Sequence, residues 1–190
     1  MALPTYNKDK RKKSFQLLPC GAYVVEIIVA QEDKNRSNNG THLTISFDIA
    51  EGEYKGFYKA QYDRNSNEDK KWPRDAIYYL TVPQEDSAPF VWDNWNTFFA
   101  DLEDSNDGYV FKGKLKELKG KLFGGKFHLE QTEYNGKIYD HTRLRWTCPA
   151  EDVRNGKPGP MPKDKLISSN PTPSNDFLEV PEGTAEEIPF

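Results

Sequence analysis

Residues 126–147 read KFHLEQTEYNGKIYDHTRLRWT. Asn135-Gly136 sits between two β-rich runs, Lys126–Tyr134 and Lys137–Thr147. A tight two-residue hairpin turn needs positive φ at both central residues, and Asn-Gly supplies it at little steric cost. The stretch therefore predicts a hairpin. Alternation along its second arm sends Tyr139, His141, Arg143 and Arg145 to one face and Ile138, Leu144 and Trp146 to the other. Just upstream, residues 111–126 carry Lys112, Lys114, Lys116, Lys119, Lys121 and Lys126 against one acid, Glu117. Gly120, Gly124 and Gly125 interrupt this stretch, which argues against a continuous helix. The adjacent pair Gly124-Gly125 suggests a bulge where a sheet bends.

The rest of the chain supplies partners for this hairpin. Residues 21–30 (GAYVVEIIVA) read as a strand with both faces partly covered, and residues 31–40 as a polar loop closed by Asn39-Gly40. In residues 41–49, Leu43, Ile45, Phe47 and Ile49 share one face opposite polar residues, the pattern of a half-buried strand. Tyr54–Tyr62, with Tyr58, Ala60 and Tyr62 on one side, is expected to be a third strand completing a meander. Residues 63–75 form a hydrophilic excursion that holds Trp72 among Lys70, Lys71 and Arg74, and residues 77–82 are expected to be extended. Val91, Trp95, Phe98, Phe99 and Leu102 fall at helical spacing, so one amphipathic helix is expected there, with Pro89 near its first turn.

Five principal strands with a helix before the fourth match the oligonucleotide-binding (OB) fold, a five-stranded Greek-key barrel. The helix would close its open end with Trp95, Phe98 and Phe99. The expected class is thus mainly β, with a disordered C-terminal tail. Composition divides the chain into a basic flexible arm (1–14), this OB-fold domain (15–154), a Pro/Gly/Ser/Asn-rich flexible linker (155–175) and an acidic tip (176–190). The net charge of −4 over 190 residues resides in the tip: its five acids, with no Lys or Arg, leave +1 on residues 1–175. Two cysteines, Cys20 and Cys148, stand outside any metal-ligand spacing and indicate ordinary thiols in a reducing compartment. His42, His128 and His141 lie in no recognisable metal or triad spacing, and no phosphate-binding glycine loop or nucleophile elbow is present. The residues point to a binding protein, with no enzyme activity, cofactor or metal expected.

The tip, DFLEVPEGTAEEIPF, resembles the acidic C-terminal tip of bacterial single-stranded DNA-binding proteins, which also end in Ile-Pro-Phe. The body resembles single-domain binding proteins of phages and mobile elements of Gram-positive bacteria. That likeness rests on Gly21-Ala-Tyr-Val-Val-Glu-Ile, Phe47-Asp-Ile-Ala-Glu-Gly leading into Tyr54-Lys-Gly, and Leu118-Lys-Gly-Lys-Leu-Phe ahead of Glu133-Tyr-Asn-Gly-Lys. It implies a protein that binds and protects single-stranded DNA in replication, recombination and repair, in the cytoplasm of a bacterium or phage-infected cell. Single strands are held by aromatic platforms beside a cationic groove. Tyr58, Tyr62, Trp72 and Tyr139 are the candidate platforms, and Lys121, Lys126, Arg143 and Arg145 the candidate phosphate contacts. At the tip, Phe190 would enter an apolar pocket of a replication, recombination or repair protein, Pro189 would limit the entropy lost on ordering, and Glu186 and Glu187 would steer toward a basic rim, with Asp176 and Ile188 as further partner contacts. An RNA-binding or protein-binding OB-fold adaptor is the alternative.

Overall fold

Val24 and Val25 are the first buried residues of β1 (Gly21–Lys34), the strand on which the sheet is built. Its first residues pair with β4 (Leu122–Tyr134), Gly21 opposite Phe127 through Glu26 opposite Leu122. From Val25 onward it pairs with β2 (Thr41–Ile49), with an extra residue, Ile28, bulged between Ile27 and Val29. One long strand therefore serves two neighbours, and the bulge lets it turn from one to the other. This computed structural model describes residue 5 and residues 16–34 and 40–167. Apart from Thr5, the basic arm (1–14) lies outside the described residues, as does the acidic tip with Asp176, Glu186, Glu187, Ile188, Pro189 and Phe190.

The hairpin forms where Asn-Gly requires it. Asn135 (φ 51°) and Gly136 (φ 69°) join β4 to β5 (Lys137–Cys148), with Tyr134 opposite Lys137. The bulge expected at Gly124-Gly125 falls elsewhere. The ladder shifts between Lys126 and Phe127, and Arg145 is the extra residue on β5. That shift breaks the expected alternation: Leu144 is buried, whereas Trp146, expected on the inner face, is 44% exposed. The glycines serve close approach instead. A Cβ on Gly124 would lie 2.7 Å from Cys148 Sγ, and one on Gly125 2.7 Å from Leu144 Cδ1.

Two expectations are corrected here. Residues 54–62 are not a strand: Phe57–Arg64 is a helix, α1. Tyr58 and Tyr62 stand four apart, a spacing that fits one helical face as well as one strand face. The Asp48 carboxylate decides between them. It accepts the N–H of Tyr58 (2.9 Å) and of Lys59 (3.1 Å), two of the donors a helix start leaves unpaired. The third strand is β3 (Ile77–Thr81), entered through a single 3-10 turn at Arg74–Ala76.

The second correction concerns closure. The sheet runs β3-β2-β1-β4-β5, antiparallel throughout, and no ladder joins its outer strands β3 and β5. It is an open sheet and not the closed Greek-key barrel of an OB-fold. β3 is five residues long, and what crosses to β5 is side chain: Asp75 Oδ1 lies 3.1 Å from His141 Nδ1 and 3.6 Å from Arg143 Nε. The resemblance to OB-fold single-stranded DNA-binding proteins loses its structural basis with the barrel.

Helix α2 (Pro89–Asp104) forms as its stripe predicts and buries Phe98, Phe99 and Leu102. Phe98 meets Tyr78 of β3 and Phe123 of β4, so the helix covers the core between sheet edges. Phe47, Phe127, Tyr58 and the β1–β2 aliphatics complete that core. Each such side chain contributes roughly 1.5–3 kcal/mol through burial. A short α3 (Ala150–Arg154) follows β5. The beginning of the expected linker is then held against β4. Lys165 makes a parallel bridge to Glu130, with Gln131 N–H donating to Lys165 O (2.9 Å) and Lys165 N–H to Leu129 O (2.8 Å). Among the described residues no helix is long and apolar enough to cross a membrane.

Candidate binding cleft

A cleft of about 650 Å³ separates β3 from β5. The 3-10 turn sets Arg74 at one end, and Ile77, Tyr78 and Tyr79 form the β3 wall. Arg143, Leu144 and Arg145 form the opposite wall, and His128 and Glu130 of β4, with Lys163 and Lys165 of the following segment, complete it. Five permanent cations thus surround one carboxylate. Glu130 binds two of them, Lys165 Nζ at 2.9 Å and Arg143 Nη1 at 3.4 Å. Burial pushes the Glu130 carboxyl up, but Lys165 and then Arg143 outweigh it and hold it below the ordinary glutamate range. Arg143 also faces Asp75, so it is committed twice. Arg74, Arg145 and Lys163 have no carboxylate within ion-pair distance among the described residues. All three are exposed at the cleft and available to an outside anion.

Of the eight body residues expected to hold DNA, only Arg143 and Arg145 meet in this cleft. Tyr58 is 1% exposed, with its ring edge-on to Phe47 and Phe57, so it is a core residue and not a stacking platform. Trp72 packs against Tyr62 (ring centroids 5.5 Å apart) and donates its Nε1–H to Phe47 O at 3.1 Å. Lys70 Nζ sits 4.6 Å from the Tyr62 ring centroid. Lys121 Nζ lies 4.2 Å over the Tyr109 ring. Lys126 is 8% exposed, with Nζ 3.5 Å from Pro160 O. Tyr139, 44% exposed, stands near the hairpin turn, where its ladder partner is Thr132. Of the four candidate platforms, Tyr139 alone is exposed, and it lies apart from the cleft.

Sequence reading missed Arg74, Tyr79, Lys163 and Lys165. Arg74 belonged to a visible cationic cluster, but the two lysines lay in a stretch whose composition gave no sign of packing. It also missed a chain of polar contacts. His141 Nδ1 faces Asp75, and His141 Nε2 lies 3.0 Å from Thr132 Oγ1. This carboxylate, imidazole and hydroxyl series has the order of an acyl-transfer triad. Arg143 shares the same carboxylate, its Nε 3.6 Å from Asp75 Oδ1. These contacts tie the 3-10 turn to β5. No group of three or more His, Cys, Asp or Glu able to hold a metal occurs among the described residues.

Tyr58 gives a direct test of its core role. Its buried Oη has no hydrogen-bond partner, and burial, followed by the nearby Asp75 and Asp48 carboxylates, pushes the phenol far above its ordinary pKa. Tyr58→Phe removes an unsatisfied polar atom and keeps the ring. It should leave stability unchanged or raise it by about 1–2 kcal/mol in urea denaturation. A loss of stability would mean that the hydroxyl has a partner.

No protein-family profile matches this chain, and no curated protein matches it in sequence.

Proposed function

We propose that this chain is a non-catalytic binding protein that captures an anionic partner in the cleft between β3 and β5. The observation that carries the proposal is the set of three uncommitted cations, Arg74, Arg145 and Lys163, around a cavity of about 650 Å³. Single-stranded DNA is not kept as the partner. Of the four rings it would stack on, Tyr58 is buried and Tyr62 and Trp72 pack against each other, which leaves Tyr139 by itself, and the barrel that would present them is open. The terminal segment with Asp176, Glu186, Glu187, Ile188, Pro189 and Phe190 is read as a separate contact. There an aromatic side chain beside acidic ones fits an apolar pocket with a cationic rim on another protein. Cytoplasmic residence belongs to the same proposal, supported by two free thiols, Cys20 and Cys148.

The test is binding of a fluorescein-labelled decaglutamate, followed by anisotropy. Affinity should be measurable at about 50 mM salt and largely lost at about 0.3 M, because exposed charges are screened over a shorter distance there. The double variant Arg74→Ser/Arg145→Ser should lose at least about tenfold in affinity, or about 1.4 kcal/mol, with its fold intact. Unchanged affinity in that variant would place the anion elsewhere.

A further inference from the structure

The edges of this sheet are not treated alike. β4 runs on past the end of its pairing with β1, and residues 163–167 cover the edge it exposes there. The outer side of β5 meets the 3-10 turn, through the Asp75 contacts to His141 and Arg143. Among the described residues β3 has no such cover. Its sequence, IYYLT, carries no charge or proline, the usual devices that keep an edge strand from pairing.

The direction of its amides follows from one contact. Val82 N–H donates to Thr41 O at 3.0 Å, which continues the β2–β3 register of Leu80 opposite Leu43 and Tyr78 opposite Ile45. Antiparallel ladders alternate, so Tyr78 and Leu80 bond inward to β2, while the N–H and C=O of Tyr79 and the N–H of Thr81 aim outward. Neither residue has another hydrogen-bond partner among the described residues. Tyr79 is also a wall of the cleft, and the residue is 59% exposed.

We infer that the cleft takes an extended acidic peptide, which adds to β3 as a sixth strand. Its main chain pairs with Tyr79 and Thr81, and its acidic side chains meet Arg74, Arg145 and Lys163. The inference rests on the proposed anion cleft and names its partner. Main-chain pairing at an exposed edge supplies affinity, and charge complementarity across the gap supplies selection. β3 offers five residues, about 17 Å at a rise of ~3.4 Å per residue, enough for a short strand. A peptide fits this edge better than a nucleic acid does. The outward N–H and C=O groups have the spacing of another strand, which a phosphodiester chain cannot match.

The experiment compares two labelled octapeptides on the full-length chain, one of alternating Glu and Val and one with its two central Val replaced by Pro. Both carry the same charge, but the second lacks the N–H groups a ladder needs. The first should bind about tenfold tighter, the worth of two main-chain hydrogen bonds. Tyr79→Pro, which removes one outward N–H and no bond to β2, should weaken the first peptide about threefold, the worth of one such bond. Should that variant fail to fold, the peptide pair still decides. Equal affinity for the two peptides would overturn strand addition and leave the anion cleft standing. Failure of decaglutamate to bind would overturn both. Stronger binding of oligothymidylate than of the Glu–Val peptide, or concentration-dependent dimers that block the peptide, would also overturn the inference in favour of nucleic acid or a second copy of the chain.

Discussion

Gly124→Val should abolish the folded state at ambient temperature. A Cβ at this position lies 2.7 Å from both Cys148 Sγ and Val153 Cγ2, and 2.9 Å from the Cys148 carbonyl oxygen. The first two atoms belong to side chains that could shift, but the third is backbone. The strand cannot retreat, because Gly124 is paired on both sides, with Val24 of β1 and Cys148 of β5. Overpacking typically costs about 1–3 kcal/mol, and the fixed position of the carbonyl puts this site at or above the top of that range. Domains of this size have about 5–15 kcal/mol in total, so valine, with two further methyls, should leave mostly unfolded protein. Gly124→Ala should fold with a urea midpoint well below that of the parent. Gly21→Ala is the control: its added Cβ meets only ordinary contacts, the nearest at 3.5 Å, and should shift the midpoint little.

Asp48→Ala is expected to have the next largest effect. The Asp48 carboxylate is 7% exposed and accepts three backbone N–H groups: Ile49 at 2.8 Å, Tyr58 at 2.9 Å and Lys59 at 3.1 Å. Two of them open α1, and there is no other side-chain cap on that helix. A negative group at a helix start also complements the partial positive charge there. Hydrogen bonds to a charged acceptor are worth about 1.5–3 kcal/mol each, and losses within one cluster do not add fully, so a total of about 3–4 kcal/mol is expected. Asp48→Asn keeps one acceptor oxygen and should recover part of the loss. The two variants can be ranked by urea denaturation. Equal stability of Asp48→Ala and the parent would show that α1 forms without this carboxylate.

These two residues also show what could be read from sequence and what could not. The alternation of Leu43, Ile45, Phe47 and Ile49 is a local signal with one physical solution, and β2 follows it. Asn135-Gly136 and the stripe ending in Phe98, Phe99 and Leu102 are similarly self-contained. Tyr58 and Tyr62 satisfy two periods at once. The choice between them is made by Asp48, ten residues away, which no window over residues 54–62 contains. Closure of the sheet was less legible still. Strand number and order are the same whether or not β3 reaches β5, and the outcome depends on a gap filled by Asp75, His141 and Arg143. The cleft draws on Arg74, Tyr79, Arg145 and Lys163, which only the tertiary structure brings together. Arg145 was visible as a cation, but its place in the cleft depends on a bulge that falls two residues beyond the glycine pair.

Much of the proposed function depends on the state of one backbone amide. Hydrogen exchange along β3 in the free, full-length chain measures it. Tyr79 and Thr81 should exchange rapidly while Tyr78 and Leu80, bonded to β2, are protected. Tyr79 should become protected when the Glu–Val peptide is added. Strong protection of Tyr79 before any ligand is present would mean that its N–H is already paired and that the edge of β3 is not open to a sixth strand.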